Sequence, residues 1–370
     1  MNKKLLLFVC TPILCLASCQ TFNSDKNLHE VYKDYFTIGA ALNEYNRGSK
    51  LLSHFNSMTC ENAMKWVSVH PSDDVYTFAA ADEYITIAKK NNIGVRGHAL
   101  VWHHPQSLPA DVLKDGDGNY HSKETILEKE RKHVRDVVTH FGDDVYCWDV
   151  VNEVIDDGVS PLKEDGSNIY RQSDWYLATG RDFIKEAFIE ADQTLKDLGI
   201  RDKVKLFYND YDNTKPVKRS KTIAMLNWLL EEGVPIDGIG LQCHYHLGSF
   251  NMDELETSII EYANLGLDVQ ITEFDCEIYD RTLAEIPNYL FYDEVPQLAL
   301  DLHASVYDRA FEIFRRHKDK ISNVTFWGVA DNITYMNNNE DYGYRTNYPY
   351  IFDVFEEKKP AFYAITDYEG

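Results

Sequence analysis

Two glutamates occupy positions from which chemistry is easily built. Glu153 closes the run Trp148-Asp149-Val150-Val151-Asn152-Glu153, and Glu273 closes Val269-Gln270-Ile271-Thr272-Glu273. Each directly follows a short apolar, β-branched stretch, so each is expected at the end of a strand. Cleavage of a glycosidic bond needs such a pair: one carboxyl to protonate the departing oxygen, and one carboxylate to attack or to activate water. Their separation sets the stereochemistry, about 5–5.5 Å for retention and about 6.5–9.5 Å for inversion. An isolated Asn152-Glu153 would serve equally well as a helix N-cap with an acid in the first turn. The second strand-end glutamate favours the paired reading.

The other expected strand ends carry a matching set. Glu61, Asn62, Lys65 and Trp66 follow one, and His98, Trp102, His103 and His104 another. Asn209-Asp210-Tyr211, Gln242-Cys243-His244, Asp275 and Trp327 complete it. Aromatic faces suit the C–H surfaces of sugars, while amides and carboxylates suit their hydroxyls. His244-Tyr245-His246 and His103-His104 also raise a metal reading, because period two places His244 and His246 on one strand face. A metal-dependent barrel would draw further ligands from several strands, beginning early in the chain, and nothing comparable follows residues 36–41. No metal or other cofactor is expected.

These residues need a scaffold that brings distant strand ends together. Strands are expected at residues 36–41, 55–60, 94–99, 146–151, 204–208, 239–243, 269–272 and 324–327, mostly separated by helical segments. One such helix runs through Ile184, Ala187, Phe188, Ala191 and Leu195 and stops at Gly199; Gly233 and Gly266 stop two more. Alternating strands and helices imply parallel strands with right-handed crossovers. Eight of them in one domain's length imply an α/β fold, a single (β/α)8 TIM barrel, whose functional groups gather at the C-terminal ends of the strands. No glycine-rich loop follows the first strand, which argues against a dinucleotide fold. Longer loops are expected after strands four and seven, at residues 155–175 and 277–301, shaping the ends of the cleft.

The formal net charge of −23 over 370 residues argues against nucleic acid and anionic membrane surfaces as partners. Lys3 and Lys4 precede an apolar run ending in Leu16-Ala17-Ser18-Cys19, a signal peptide too short to span a membrane. The Leu-Ala-Ser-Cys sequence resembles the bacterial lipobox, which implies lipidation of Cys19. Residues 1–18 are thus expected to be removed, residues 19–28 to form a tether, and residues 29–370 to be the catalytic domain. Gln20 rather than aspartate after the cysteine implies the outer membrane of a Gram-negative cell, with the membrane touched only through this anchor. Cys60, Cys147, Cys243 and Cys276 lack metal-ligand spacing and are expected mostly as small buried hydrophobes.

Five ordered motifs carry a family resemblance: Thr59-Cys60-Glu61-Asn62-Ala63-Met64-Lys65-Trp66, Arg96-Gly97-His98-Ala99-Leu100-Val101-Trp102-His103, the runs ending in Glu153 and Glu273-Phe274-Asp275, and Phe326-Trp327-Gly328-Val329. The sequence resembles glycoside hydrolase family 10, from about Tyr35 to Tyr363. The resemblance implies a retaining endo-β-1,4-xylanase acting on xylan or xylo-oligosaccharides without cofactor; a monomer is expected. It makes Glu153 the acid/base and Glu273 the nucleophile, with His244 bonding Glu273 and Asp275 orienting His244. It places Asn152, Gln242, His98 and Trp102 around the sugar at the cleavage site, and Glu61, Asn62 and Lys65 around the next. Tyr211 and Trp327 add contacts.

Three positions depart from the family pattern. Tyr335 stands where the family has a second tryptophan, Gln106 falls one position late, and Asp212 replaces a common asparagine. Tyr335 and Gln106 are expected to border the C5 side of the sugar, where crowding separates xylose from glucose. The alternatives are therefore a β-1,4-glucanase or mixed enzyme, and a surface glycan-binding lipoprotein that retains the cleft without catalysis.

Overall fold

The computed structural model describes residues 25–279, 295–337 and 339–368. The expected signal and Cys19 anchor, and residues 280–294 of the second long loop, lie outside the described residues.

Eight parallel strands close into a barrel. They are β1 (Thr37–Leu42), β2 (Ser57–Cys60), β3 (Gly94–Trp102), β4 (Val145–Asn152), β5 (Lys205–Asp210), β6 (Gly238–Leu241), β8 (Asp268–Glu277) and β9 (Ile321–Phe326). Sequential strands pair, β6 pairs directly with β8, and β9 returns to β1, so no edge is left open. The expected TIM barrel is the observed fold. Among the described residues its α-helices are α1 (Leu28–Val31), α2 (Trp66–Val69), α3 (Ala79–Asn91), α4 (Lys123–Phe141), α5 (Asp174–Thr179), α6 (Asp182–Asp197), α7 (Pro216–Glu231), α8 (Met252–Asn264), α9 (Gln297–Arg316) and α10 (Pro360–Thr366), with α4, α6, α7 and α9 the longest of the outer layer. The apolar stripe of α4 (Ile126, Val134, Val137, Val138 and Phe141) is buried. Ser122 begins that helix by accepting the amide N–H of Thr125.

The strand boundaries differ from expectation where strands meet the cleft. β3 runs three residues past Ala99 to Trp102, and β8 runs from Asp268 to Glu277. The end of β3 stays paired with β4 through Val101 and Trp102, and the end of β8 pairs with a short added strand at His244–His246, contacts that composition alone does not reveal. The segment expected as residues 239–243 breaks instead: β6 ends at Leu241, and Cys243 takes a left-handed backbone with φ 58°. The chain then re-pairs beside β8 as a short strand, β7 (His244–His246), with His244 opposite Asp275. A turn at Cys243 is what aims both Gln242 and His244 at the mouth of the barrel.

Beneath that mouth the barrel holds a polar layer. Arg96 on β3 forms a buried ion pair with Asp149 on β4 and donates to Gln270 of β8 at 2.8 Å. Burial pushes the Asp149 carboxyl up, but Arg96 and the His98 hydrogen bond more than offset this and hold it below the usual carboxylate range. The same carboxylate takes the His98 ring at 2.8 Å, fixing it in the cleft floor. Cys60, Cys147, Cys243 and Cys276 are buried free thiols.

Candidate active site

Glu153 leaves β4 in a left-handed conformation, φ 58°, with its N–H bonded to the Asn209 carbonyl at 2.9 Å. Such a backbone is costly for a residue with a side chain and clusters at functional sites. Its carboxylate accepts from two arms, Gln242 Nε2 at 2.9 Å and Trp102 Nε1 at 2.9 Å. Burial pushes the Glu153 carboxyl above the ordinary range, and the charges of Asp210 and Glu273 push the same way against those two donors.

Glu273 is held differently. Asn209 Nδ2 donates to Oε1 at 2.8 Å, and His244 Nε2 lies 3.2 Å from Oε2. His244 Nδ1 lies 2.9 Å from Asp275 Oδ2. Burial alone would pull the imidazole down, but Asp275 and then Glu273 outweigh it and raise His244 well above its ordinary value. With a carboxylate oxygen facing each nitrogen, the ring is placed to donate from both, the arrangement that suits an imidazolium.

Asn209 ties the two glutamates into one unit. Its amide also donates to Asn152 Oδ1 at 2.9 Å, and Thr272 Oγ1 donates to its own oxygen at 2.6 Å. Gly240 on β6 makes room for it, since a methyl group there would collide with the Asn209 side chain. The Asn152 amide nitrogen is buried with no protein acceptor, leaving a donor beside the two carboxylates.

The cleft around this pair has a volume of about 710 Å³. Glu61, Asn62, Lys65, His98, Trp102, Gln242, His244 and Trp327 line it, with Gln106, Tyr211 and Tyr335, while Asn152 and Asp275 support it from beneath. Lys65 bonds Asn62 at 2.7 Å and sits 5.0 Å over the Trp102 ring. Burial lowers its ammonium below the ordinary lysine value, against the pull of Glu61, Glu273 and Glu153. Trp327 packs edge-on against His98, with ring centroids 5.4 Å apart.

Two of the expected sugar contacts also have hydrogen-bond partners within the protein. Tyr211 lines the cleft, but its hydroxyl donates to Asp157 at 2.6 Å and accepts from Arg171 at 2.7 Å. The long loop after β4 thereby claims its polar end. Tyr335 is in the wall, yet its hydroxyl bonds Asp275. Sequence reasoning also missed Asn209 as the link between Glu153 and Glu273, although it stands in the same strand-end run as Tyr211. It missed Asn339, Asp341 and Tyr342 in the wall as well, because their segment has no period to read.

The whole described domain matches known proteins. The family model described as Glycosyl hydrolase family 10 matches residues 27–368. A "Beta-1,4-xylanase" of Dictyoglomus thermophilum is 42% identical over 346 residues, covering 92% of this chain and 91% of that protein. "Endo-1,4-beta-xylanase A" of Caldicellulosiruptor saccharolyticus is 39% identical, covering 95% and 98%. Among solved structures, the endo-1,4-beta-xylanase from Caldicellulosiruptor owensensis superposes with a TM-score of 0.83 at 38% identity, covering 92% of this chain and 99% of that one. By the extent of its match and the identity of its relatives, the chain belongs to glycosyl hydrolase family 10.

Proposed function

We propose that the protein is a retaining endo-β-1,4-xylanase in which Glu273 is the nucleophile and Glu153 the acid/base. The observation that carries this reading is the unequal treatment of two neighbouring carboxyls. Glu153 is pushed up by burial and so is suited to hold a proton. Glu273 accepts from Asn209 and from an imidazolium, partners suited to an anion. In the first step a Glu273 oxygen bonds the anomeric carbon as the C1–O bond breaks, and Glu153 gives its proton to the departing oxygen. In the second, water attacks that carbon, Glu153 takes the water's proton, and Glu273 leaves as a carboxylate. The free Asn152 amide suits the 2-hydroxyl of the sugar being cleaved.

Xylan as substrate rests on the relatives, whose names specify xylanase activity. A mixed xylan and glucan specificity is the second reading, favoured by Tyr335 in the wall where the family pattern has a larger indole. The two sugars differ by one hydroxymethyl group, and a pocket discriminates a group of that size by roughly 10–200-fold. Reducing ends released from xylan and from carboxymethyl cellulose are expected to differ by at least about tenfold in favour of xylan. Equal rates would overturn the xylanase assignment.

A further inference from the structure

Tyr335 does more than stand in the wall. Its O–H lies 3.2 Å from Asp275 Oδ2, the same oxygen that receives His244 Nδ1. It also lies 3.2 Å from that nitrogen, and Tyr342 donates to it at 3.2 Å. Asp275 is fully buried, and its other oxygen has no protein donor. Tyr335 is thus the second of two donors that define where this carboxylate points.

The segment carrying Tyr335 is pinned. Tyr350 donates its hydroxyl to the Trp327 carbonyl at 2.5 Å and reaches Thr334 Oγ1 at 3.3 Å. Lys359 holds the buried Asp331 at 2.8 Å, and Asp331 in turn takes the Tyr350 amide at 2.8 Å. Asn339 donates to the Tyr335 carbonyl at 3.3 Å. The hydroxyl is therefore delivered to Asp275 by a preorganised loop, with its ring 5.7 Å from the His244 ring.

We infer that Tyr335 is a positioning residue for the nucleophile, acting through Asp275 and His244 on Glu273, with Tyr342 behind it. This rests on the assignment of Glu273 as nucleophile. His244 is a quarter exposed to the cleft, so its hydrogen bonds to Asp275 and Glu273, with edge-on packing against Trp327 and Tyr335, fix the ring. A neutral donor on Asp275 holds that carboxylate in place without adding charge. It also spreads the Asp275 charge, which leaves more of the imidazolium's pull for Glu273.

Loss of the donor makes the group of two carboxylates and one imidazolium easier to protonate, because one anion loses a hydrogen bond. Glu153 and Lys65 face this group across the cleft, and Cys243, Tyr307, Tyr342 and Tyr350 face it from behind. Burial pushes the Cys243 thiol up to about 12 and the Tyr307 and Tyr350 phenols well up, so these three stay protonated over the working range.

The test compares the wild-type enzyme with Tyr335→Phe and Tyr335→Trp on an aryl xylobioside, with Glu273→Ala alongside. For Tyr335→Phe, kcat is expected to fall about tenfold, as loss of a hydrogen bond to a charged group predicts, with KM within about twofold. The acid limb of kcat/KM is expected to move to higher pH. Tyr335→Trp restores the bulk but not the hydroxyl and is expected to show the same shifted limb. An unshifted limb and wild-type kcat in Tyr335→Phe would reduce Tyr335 to a wall residue and overturn the inference. If Tyr335→Phe does not fold, Tyr342→Phe takes its place: a shift in the same direction supports the inference, and an unmoved limb overturns it. Activity surviving in Glu273→Ala would overturn the nucleophile assignment itself, whatever the tyrosine variants do.

Discussion

At the scale of single residues, Glu153 and Glu273 carry the same side chain in different surroundings. Glu153 lies between an indole and an amide and is pushed up by burial. Glu273 rests on Asn209 and His244. Both glutamates were legible in the sequence because each ends an apolar run. Asn209 was not, because its role depends on a gap opened by Gly240 on the next strand. Its amide serves Glu273 and Asn152 together, so Asn209→Ala removes a charge-assisted bond and frees a buried neighbour. The variant is expected to lose about 10–100-fold in kcat on xylan. Steady-state rates of a variant shown to be folded check this, and an unchanged kcat would mean that His244 alone suffices to hold the nucleophile.

At the scale of elements, strands and helices with a clean period were readable, and interruptions were not. The break at Cys243 and the short β7 fall in Gln242-Cys243-His244-Tyr245-His246, where neither apolar alternation nor a turn residue marks the change. Helix α4 hides a second irregularity. Glu130 lies on its buried face between Ile126 and Val134, and neither carboxyl oxygen has a protein hydrogen-bond partner. Burial, helped by the charge of Glu186, raises this carboxyl well above its ordinary value. Folding therefore makes Glu130 take up a proton. That costs nothing below the unfolded value near 4.5 and progressively more as pH rises toward the folded value. Glu130→Gln is neutral at every pH, so its Tm is expected to exceed wild type by about 2–4 °C at pH 8. The advantage is expected to vanish near pH 4. Thermal melts across that range check it, and a gain that is the same at both ends would mean Glu130 does not titrate on folding.

At the scale of the molecule, barrel closure is what turns scattered strand ends into one site. The ring β1 to β6, β8 and β9 sets the ends of β4 and β8 around a common mouth, although their glutamates are far apart in sequence. That much followed from counting eight strands with helices between them. What the count could not supply was the direction of each side chain past the strand end. Tyr211 turns its hydroxyl to the loop after β4, and Tyr335 turns its own to Asp275. The central claim concerns a covalent bond, and mass spectrometry reads it directly. A xylobiosyl fluoride with fluorine in place of the reducing-side sugar's 2-hydroxyl slows the second step more than the first, so the glycosyl-enzyme accumulates. One fluoroglycosyl group per protein is expected, on the peptide containing Glu273. A label on another carboxylate, or turnover of xylan to products of inverted anomeric configuration, would contradict the account.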